Sequence, residues 1–138
     1  MQKKIVIIGG LSAGPSAAAK ARRTNEMCEI LLFEKTNTIS TATCGIPYAL
    51  SSDENSIDKL TVVDAELLRQ RFNIKVFLNE AVINIDTISR EIITSKGKKY
   101  DYTDLVFATG TSAFIPPIKN IEKFNSWSHC KSISDLKK

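Results

Sequence analysis

A glycine-rich segment is the first part of the sequence whose residue types could do chemistry. Gly9 and Gly10 follow the apolar, β-branched run of residues 5–8, and an alanine-rich stretch begins near Gly14. A strand–turn–helix unit of this kind presents backbone N–H groups and the positive end of a helix dipole to a pyrophosphate. The segment therefore predicts a dinucleotide site that includes Gly9, Gly10, Leu11, Ser12, Ala13 and Gly14.

Glu34 supports this prediction because of its spacing from the glycines. It lies twenty residues after Gly14, at the end of a second apolar run, where a carboxylate can accept hydrogen bonds from ribose hydroxyls. The fingerprint G-x-G-x-x-G would place a glycine at position 11, which is Leu11, so Gly10 would have to give the close approach instead. A glycine-rich turn without a ligand is the alternative, and the motif does not distinguish FAD from NAD.

Cys44 is the second candidate for chemistry. The following Gly45 and Pro47 predict a turn that enters a short helix, and a thiol at a helix N-terminus favours its thiolate form. The alternative is a small buried hydrophobe. A C-x-x-x-x-C dithiol would need a cysteine at position 49, which is Ala49. Cys44 would therefore act alone, through a mixed disulfide or a sulfenic acid.

The other cysteines and the single histidine predict no further site. Cys28 precedes an apolar run and is expected in the core, whereas Cys130 and His129 lie in a polar tail. No metal cluster and no Ser/His/Asp arrangement can be assembled around His129. Three cysteines are too few for a disulfide scaffold and fit a reducing compartment.

Length and composition bound the class of protein. The 138 residues are 43% apolar and 25% charged, which suits one globular domain. The net charge of +4 comes from scattered basic residues, so nucleic acid binding is not expected. The apolar run of residues 5–8 is too short for a signal peptide, and no run reaches the length of a membrane span. We therefore expect a cytoplasmic protein with no membrane partner.

The hydrophobic pattern predicts strands that alternate with helices, as in an α/β fold. The predicted strands are residues 5–8, 29–33, 74–78, 81–85, 91–94 and 105–108. One helix should run from Gly14 to about Thr24 and another from an Asp64 N-cap to about Phe72. A short helical turn is predicted at residues 45–50, a polar connection at 51–58 and a turn at Gly97.

Four segments together resemble the coenzyme A disulfide reductase family, whose close relatives are NADH oxidases, NADH peroxidases and persulfide reductases. They are Lys4 to Gly14, Phe33-Glu34-Lys35, Cys44-Gly45-Ile46-Pro47-Tyr48 and Leu105 to Gly110. The resemblance extends to about Pro117, and this family also has a bulky aliphatic residue at position 11. It implies a partial Rossmann-like FAD-binding domain with a parallel sheet, one or two flanking helices and a small antiparallel β-meander. That domain would cover residues 1–117, and residues 118–138 would be a linker toward a nicotinamide-binding domain.

The resemblance also implies roles for individual residues. Electrons would pass from NAD(P)H to FAD, then to Cys44, and finally to coenzyme A disulfide or a related small disulfide or peroxide. The residues from Gly9 to Gly14 would hold the FAD pyrophosphate, and Glu34 and Lys35 would meet the ribose of its adenosine. The adenine would contact the Val82 backbone, and Ala108, Thr109 and Gly110 would close over the FAD.

Coenzyme A itself would be bound by residues near the first helix and near the cysteine. The family places groups for its phosphates near Lys20, Arg22 and Arg23, although a solvated helix end with cations that offset the dipole is an equal alternative. Ser40 and Thr43 belong to the same implied site. Position 41 is usually aromatic and position 43 Asn or Ser in relatives, whereas both are Thr here. This departure leaves the substrate open.

The family also has parts that this sequence does not contain. A second glycine fingerprint for NAD(P)H, a later Gly-Asp segment and the dimerisation domain of a homodimer are missing. We therefore expect a truncated enzyme with an open sheet edge, which binds the adenosine half of FAD weakly and does not turn over substrate alone. The alternatives are part of an NADH oxidase or peroxidase that uses a cysteine sulfenic acid, and a non-catalytic nucleotide-binding module.

Overall fold

The computed structural model describes residues 2–51 and 58–136. The strands are β1 (Lys4–Ile8), β2 (Glu29–Phe33), β3 (Lys75–Phe77), β4 (Val82–Asp86), β5 (Glu91–Thr94), β6 (Lys99–Asp101) and β7 (Asp104–Phe107). The helices are α1 (Ala13–Thr24), α2 (Ile46–Leu50), α3 (Ala65–Phe72) and α4 (Ile133–Leu136). Short 3-10 turns lie at Thr43–Gly45, Asp58–Leu60 and Ile121–Lys123. Residues 52–57 of the predicted polar connection lie outside the described part.

The chain divides into two compact units. The first unit contains Met1–Thr41 and Thr61–Gly110, and the second contains Ala42–Leu60 and Thr111–Lys138. The first unit therefore carries all seven strands with α1 and α3, whereas α2 and α4 belong to the second. The predicted domain boundary at residue 117 stays a prediction.

A four-stranded parallel sheet forms the centre of the first unit. Its strand order is β3-β2-β1-β7, and Ile8 pairs with Phe33 on one side and with Phe107 on the other. β1 is flanked on both sides and its apolar run is buried, as expected for an inner strand of a parallel sheet. The predicted α/β fold is confirmed. In the described sheet β7 is an edge strand, and its Phe107 is 65% exposed.

The two faces of this sheet have different covers. On one face Ile7 and Leu32 belong to a cluster with Ala18 of α1 and Leu68 of α3. On the other face Val6, Ile8 and Phe33 pack with Ile92 of an antiparallel meander of order β4-β5-β6. Because side chains alternate along a strand, the continuous apolar run of β1 contributes to both clusters.

The small antiparallel meander that the family resemblance implies is confirmed, whereas the hydrophobic pattern predicts only two of its three strands. β4 and β5 follow apolar runs and agree with the predicted strands, whereas β6 was missed because Lys99-Tyr100-Asp101 contains a single apolar side chain. The Tyr100 side chain provides the apolar contact between β6 and the core. Its ring lies 5.0 Å from the Phe33 ring, edge to face, and Phe33 stacks on Phe77 at 4.6 Å.

Local capping fixes α3, and one arginine joins its end to α1. The Asp64 carboxylate accepts a hydrogen bond from the Leu67 amide at 2.7 Å, so the predicted N-cap is confirmed. At the other end the Arg22 guanidinium donates to the carbonyl groups of Phe72 and Asn73. It also donates to the carbonyls of Glu26 and Cys28, in the turn between α1 and β2.

The tail of the second unit is organised around one carboxylate. Asp135 accepts hydrogen bonds from the amides of Lys131 and Ser132 and from the Ser132 hydroxyl, and it lies 3.3 Å from His129 Nε2. The Ser132 hydrogen bonds lower the pKa of Asp135 to about 2.

The helices of the described residues are too short or too polar to span a membrane.

Replacement of Arg22 by Gln should lower the free energy of unfolding. The change leaves four carbonyl groups without a cationic donor, and a hydrogen bond to a charged group contributes about 1.5–3 kcal/mol. Arg23→Gln is the matched control, because within the described residues the exposed Arg23 side chain donates only to Ala19 of its own helix. Urea unfolding followed by circular dichroism compares them. Equal midpoints for the two variants would contradict this assignment.

The Asp135 carboxylate and the hydrogen bonds that it accepts from Lys131 and Ser132, which we call the Asp135 cap, should titrate in acid. A carboxyl whose folded pKa is depressed stabilises the fold above its unfolded pKa, and this contribution is lost as pH falls through the folded value of about 2. The Lys131 and Ser132 amide signals in NMR spectra report the folded state, so they should titrate with a midpoint near the folded value of about 2. In Asp135→Asn this titration should disappear. Titration of both signals near the ordinary aspartate pKa would show that the cap does not form.

Candidate functional site

The chain leaves β1 through a turn that only glycine fits. Gly9 has φ +107°, and a Cβ there would lie 2.2 Å from the Ala108 carbonyl oxygen. The Gly9 amide donates to the Phe33 carbonyl at 2.8 Å. The turn is thus held between the ends of β2 and β7, at the carboxyl edge of the sheet.

The other two glycines let α1 and the end of β2 approach the same turn. A Cβ at Gly14 would lie 1.8 Å from the Gly9 carbonyl oxygen, and a Cβ at Gly10 would lie 3.0 Å from Cβ of Glu34. No side chain could be added at Gly14 without moving the helix away from the strand. The predicted glycine motif is therefore a close-packed strand–turn–helix junction.

The N-terminus of α1 carries no protein cap in the part of the chain that the structure describes. The N-cap residue Ser12 makes no side-chain capping hydrogen bond, and the first turn contains no acidic residue. Leu11, Ser12 and Ala13 are exposed. The first N–H groups of a helix have no partner within the helix and carry partial positive charge. This end of α1 can therefore accept an anion.

Glu34 is fixed by hydrogen bonds at the side of the glycine turn. Its Oε2 accepts the Gly10 amide at 2.7 Å, and its Oε1 accepts both the amide and the hydroxyl of Thr36 at 2.8 Å. The side chain is only 9% exposed. A carboxylate can accept about four hydrogen bonds, so the three donors leave room for one more. The predicted contact with ribose stays a prediction, whereas the neighbouring Lys35 is exposed.

Two further residues predicted for the nucleotide, Val82 and Thr109, line one cleft of the first unit. A cleft of about 340 Å³ is lined by Ile8, Val82, Ile83, Asn84, Ile85, Phe107 and Thr109. Val82 pairs with Thr94 in the meander, and the register is irregular between Val82 and Asn84. Ala108 is half-buried beside Gly9, whereas Thr109 and Gly110 are exposed.

A buried acid that the sequence analysis missed lies next to Glu34. Glu80 is 2% exposed, and its amide donates to the Glu34 carbonyl at 3.0 Å. Its Oε2 lies 3.1 Å from Lys96 Nζ. Burial raises the pKa of Glu80, but the Thr94 hydroxyl and the Lys96 ammonium outweigh burial, and the pKa falls below its ordinary value. The fifteen residues between the two partners form no recognisable motif.

Cys44 lies in the second unit, within the 3-10 turn Thr43–Gly45 that precedes α2. The predicted turn into a short helix is confirmed, and the thiol is exposed and free. Beneath it Ile46 is fully buried, and a Cβ at Gly45 would lie 2.6 Å from the Leu60 side chain. Cys44 is therefore accessible, and its redox role stays a prediction.

The remaining cysteines behave as predicted. Cys28 is buried in the core and Cys130 is exposed. Among the described residues, no group of three or more His, Cys, Asp and Glu side chains could hold a metal ion. Of the residues predicted for coenzyme A near the cysteine, Thr43 is exposed, whereas Ser40 has φ +51° and donates its amide to the Gly10 carbonyl.

The cations predicted to bind coenzyme A phosphates lie at one end of the first unit. A cleft of about 620 Å³ is lined by Arg22, Arg23, Glu26, Arg71, Phe72 and Asn73. The Arg22 donors are used on carbonyl groups, whereas Lys20 and Arg23 are exposed on α1. Arg71 was missed because only the fold brings the end of α3 to the end of α1.

The chain is similar to known proteins over nearly its whole length. Residues 3–138 match the family described as pyridine nucleotide-disulphide oxidoreductase. The chain is 38% identical over 122 residues to an NAD(P)H coenzyme A polysulfide/persulfide reductase of Pyrococcus horikoshii, and the match covers 88% of this chain and 27% of that protein. It is 31% identical to an NADH oxidase of Methanocaldococcus jannaschii, with 84% of this chain and 27% of that protein covered.

A solved structure is also similar to this chain in its fold. The reduced CoADR-RHD of Bacillus anthracis is similar with a TM-score of 0.86 and 29% identity, over 99% of this chain and 26% of that one. The chain thus spans about a quarter of the length of the relatives that it matches. Because the match runs through nearly all of its residues, the chain belongs to the pyridine nucleotide-disulphide oxidoreductase family.

Proposed function

We propose that the chain is the N-terminal FAD-binding part of a coenzyme A disulfide reductase-like oxidoreductase. The observation that carries the proposal is the uncapped N-terminus of α1, packed through Gly14 against the glycine turn. Such a junction offers N–H groups and a helix dipole to a pyrophosphate in a fixed position. The FAD-binding portion would be residues 1–117, with 118–138 as the linker toward a nicotinamide-binding domain.

Each nucleotide group then has a proposed partner in the first unit. The pyrophosphate would lie at the residues from Gly9 to Gly14, the ribose at Glu34 and Lys35, and the adenine at the Val82 backbone. Ala108, Thr109 and Gly110 would close over the cofactor. The remaining acceptor position of Glu34 supports this arrangement, because a ribose hydroxyl can donate to it.

The thiol of Cys44 would carry the disulfide chemistry. When bound, the flavin would supply electrons that come from NAD(P)H. The Cys44 thiolate would attack one sulfur of coenzyme A disulfide, form a mixed disulfide and release the other coenzyme A as a thiolate. Exposure of Cys44 and the absence of a second cysteine at position 49 support this single-thiol reaction. The free cysteines also fit a cytoplasmic location.

The phosphates of coenzyme A would interact with the cations of the first unit. Exposed Lys20 and Arg23 are suited to this role, and Arg71 lines the same cleft as Arg23. Arg22 would act by holding the ends of α1 and α3, because its donors are used on carbonyl groups. Ser40 and Thr43 are proposed for the pantetheine side of the same substrate.

A second candidate is part of an NADH oxidase, favoured by the 31% identity with the Methanocaldococcus jannaschii protein of that name. There Cys44 would be oxidised to a sulfenic acid by a peroxide. An exposed single thiol is compatible with either reaction, so the product trapped on Cys44 distinguishes them.

FAD titration tests the cofactor. We expect saturable quenching of flavin fluorescence by the 138-residue chain, and Glu34→Gln should weaken binding about tenfold, because it loses a charged hydrogen-bond acceptor. Glu29→Gln is the control, since Glu29 lies at the opposite end of β2 and pairs with exposed Lys75. Circular dichroism verifies that each variant is folded. The FAD proposal fails when the folded, unsubstituted chain shows no binding.

Incubation with coenzyme A disulfide tests the thiol. Mass spectrometry should find coenzyme A added to Cys44 about tenfold faster than to Cys130, as expected for a thiol that lies in the coenzyme A site. Cys130 is the internal control because it is also exposed. Cys44→Ser should remove the faster addition. Equal rates at both cysteines would contradict a redox role, whereas a sulfenic acid formed selectively at Cys44 by peroxide would favour the second candidate.

A further inference from the structure

Five residues of the first unit join the meander to the end of β2, and we call them the Glu80 latch. The Glu80 side chain is buried and pairs with Lys96, in the turn between β5 and β6. The Ala81 amide donates to Ser95 Oγ at 3.1 Å, and the Ser95 amide donates back to the Ala81 carbonyl at 2.7 Å. Thr94, fully buried, completes the set next to the Glu80 carboxylate.

The latch is connected to the glycine turn through Glu34. The Glu80 amide donates to the Glu34 carbonyl, and the Glu34 amide donates to the Phe77 carbonyl at 2.8 Å. The Glu34 side chain in turn accepts the Gly10 amide. An ion pair followed by hydrogen bonds therefore connects Lys96 through Glu80 and Glu34 to Gly10.

We propose that Glu80 is a positioning residue for nucleotide binding, because its ion pair with Lys96 holds residues 80–82 against the end of β2. The latch fixes Val82 relative to Glu34, the two residues proposed for the adenine and the ribose. This inference rests on the proposed function. Glu80 touches neither group and acts only through the segment that it holds.

Loss of a buried ion pair has a different energetic consequence from loss of an apolar contact. Burial of a carboxylate costs free energy, and removal of its partner leaves that charge uncompensated. Neither Glu80 Oε1 nor Thr94 Oγ1 makes a hydrogen bond of standard geometry in the described chain. The Thr94 hydroxyl and the Lys96 ammonium both favour the charged form of Glu80, and the lysine is the cation in contact with the carboxylate. Loss of the lysine should therefore weaken nucleotide binding more than loss of the charge on Glu80.

The surroundings of Glu80 predict the pH range of the latch. The titratable groups near the carboxylate are Lys96, Lys98 and Tyr100, all in the β5–β6 turn or in β6. The pKa of Glu80 is lowered and that of Tyr100 is raised. The stabilisation is therefore complete above the ordinary glutamate pKa of 4.5 and is lost as pH falls through the lower folded value.

A double-mutant cycle on the 138-residue chain tests the proposal, with the dissociation constants of FAD and of ADP as readouts. Lys96→Met should weaken both about tenfold and Glu80→Gln about threefold, and the double variant should be no weaker than Glu80→Gln. Lys96→Arg should restore binding. The Glu91–Lys99 pair is the matched control, because it joins β5 to β6 at 3.9 Å with both side chains exposed, so Glu91→Gln should change binding less than twofold.

Amide hydrogen exchange separates the latch from the cofactor. In Lys96→Met the amides of Glu80 and Ser95 should exchange about tenfold faster, while those of β1 stay unchanged. Faster exchange with unchanged nucleotide affinity would overturn the positioning role, and unchanged exchange would overturn the latch. Faster exchange in a chain whose unsubstituted form binds neither FAD nor ADP would instead overturn the proposed function, and with it the role of Glu80 in binding.

Discussion

At the end of β1 the backbone has to turn, pass the end of β2 and start a helix within four residues. That path requires the Gly14 backbone to lie directly on the Gly9 carbonyl, with no space for a Cβ between them. The position of α1 on the sheet follows from this contact, because any side chain there would lift the helix. The direction of the helix N-terminus then follows from the same contact, so the anion-accepting end of α1 is fixed by packing. The rest of the first unit keeps this junction rigid.

Two buried carboxylates hold the segments next to this junction. Glu34 follows Phe33, whose ring contacts those of Phe77 and Tyr100, and Glu80 lies near Tyr100. A buried carboxylate is stable only when donors or a cation compensate its charge. Glu34 has the amides of Gly10 and Thr36, and Glu80 has Lys96. Each acid therefore holds a loop in place next to the sheet.

The parts of the structure that sequence reasoning predicted are those with local causes. β1 and β2 follow from continuous apolar runs, and the N-cap of α3 follows from Asp64 alone. β6 was missed because its stability comes from the Tyr100 ring on Phe33, a contact between residues far apart in sequence. The structural role of Arg22 was missed for the same reason, because two of its four carbonyl partners, Phe72 and Asn73, lie about fifty residues away at the end of α3.

The residues of the candidate site also divide into those predicted from local spacing and those that only the fold brings together. The glycines and Glu34 were found because their spacing reflects a single strand–turn–helix–strand unit, which is local. Glu80 and Lys96 were not found because they lie on different strand connections, and only the pairing of β4 with β5 brings them together. The residues proposed for the nucleotide and Cys44 also lie in different units of the chain. Nucleotide affinity should therefore depend on preorganised backbone and buried acids, whereas reactivity should depend on the exposed thiol, so the two properties can be changed separately by substitution.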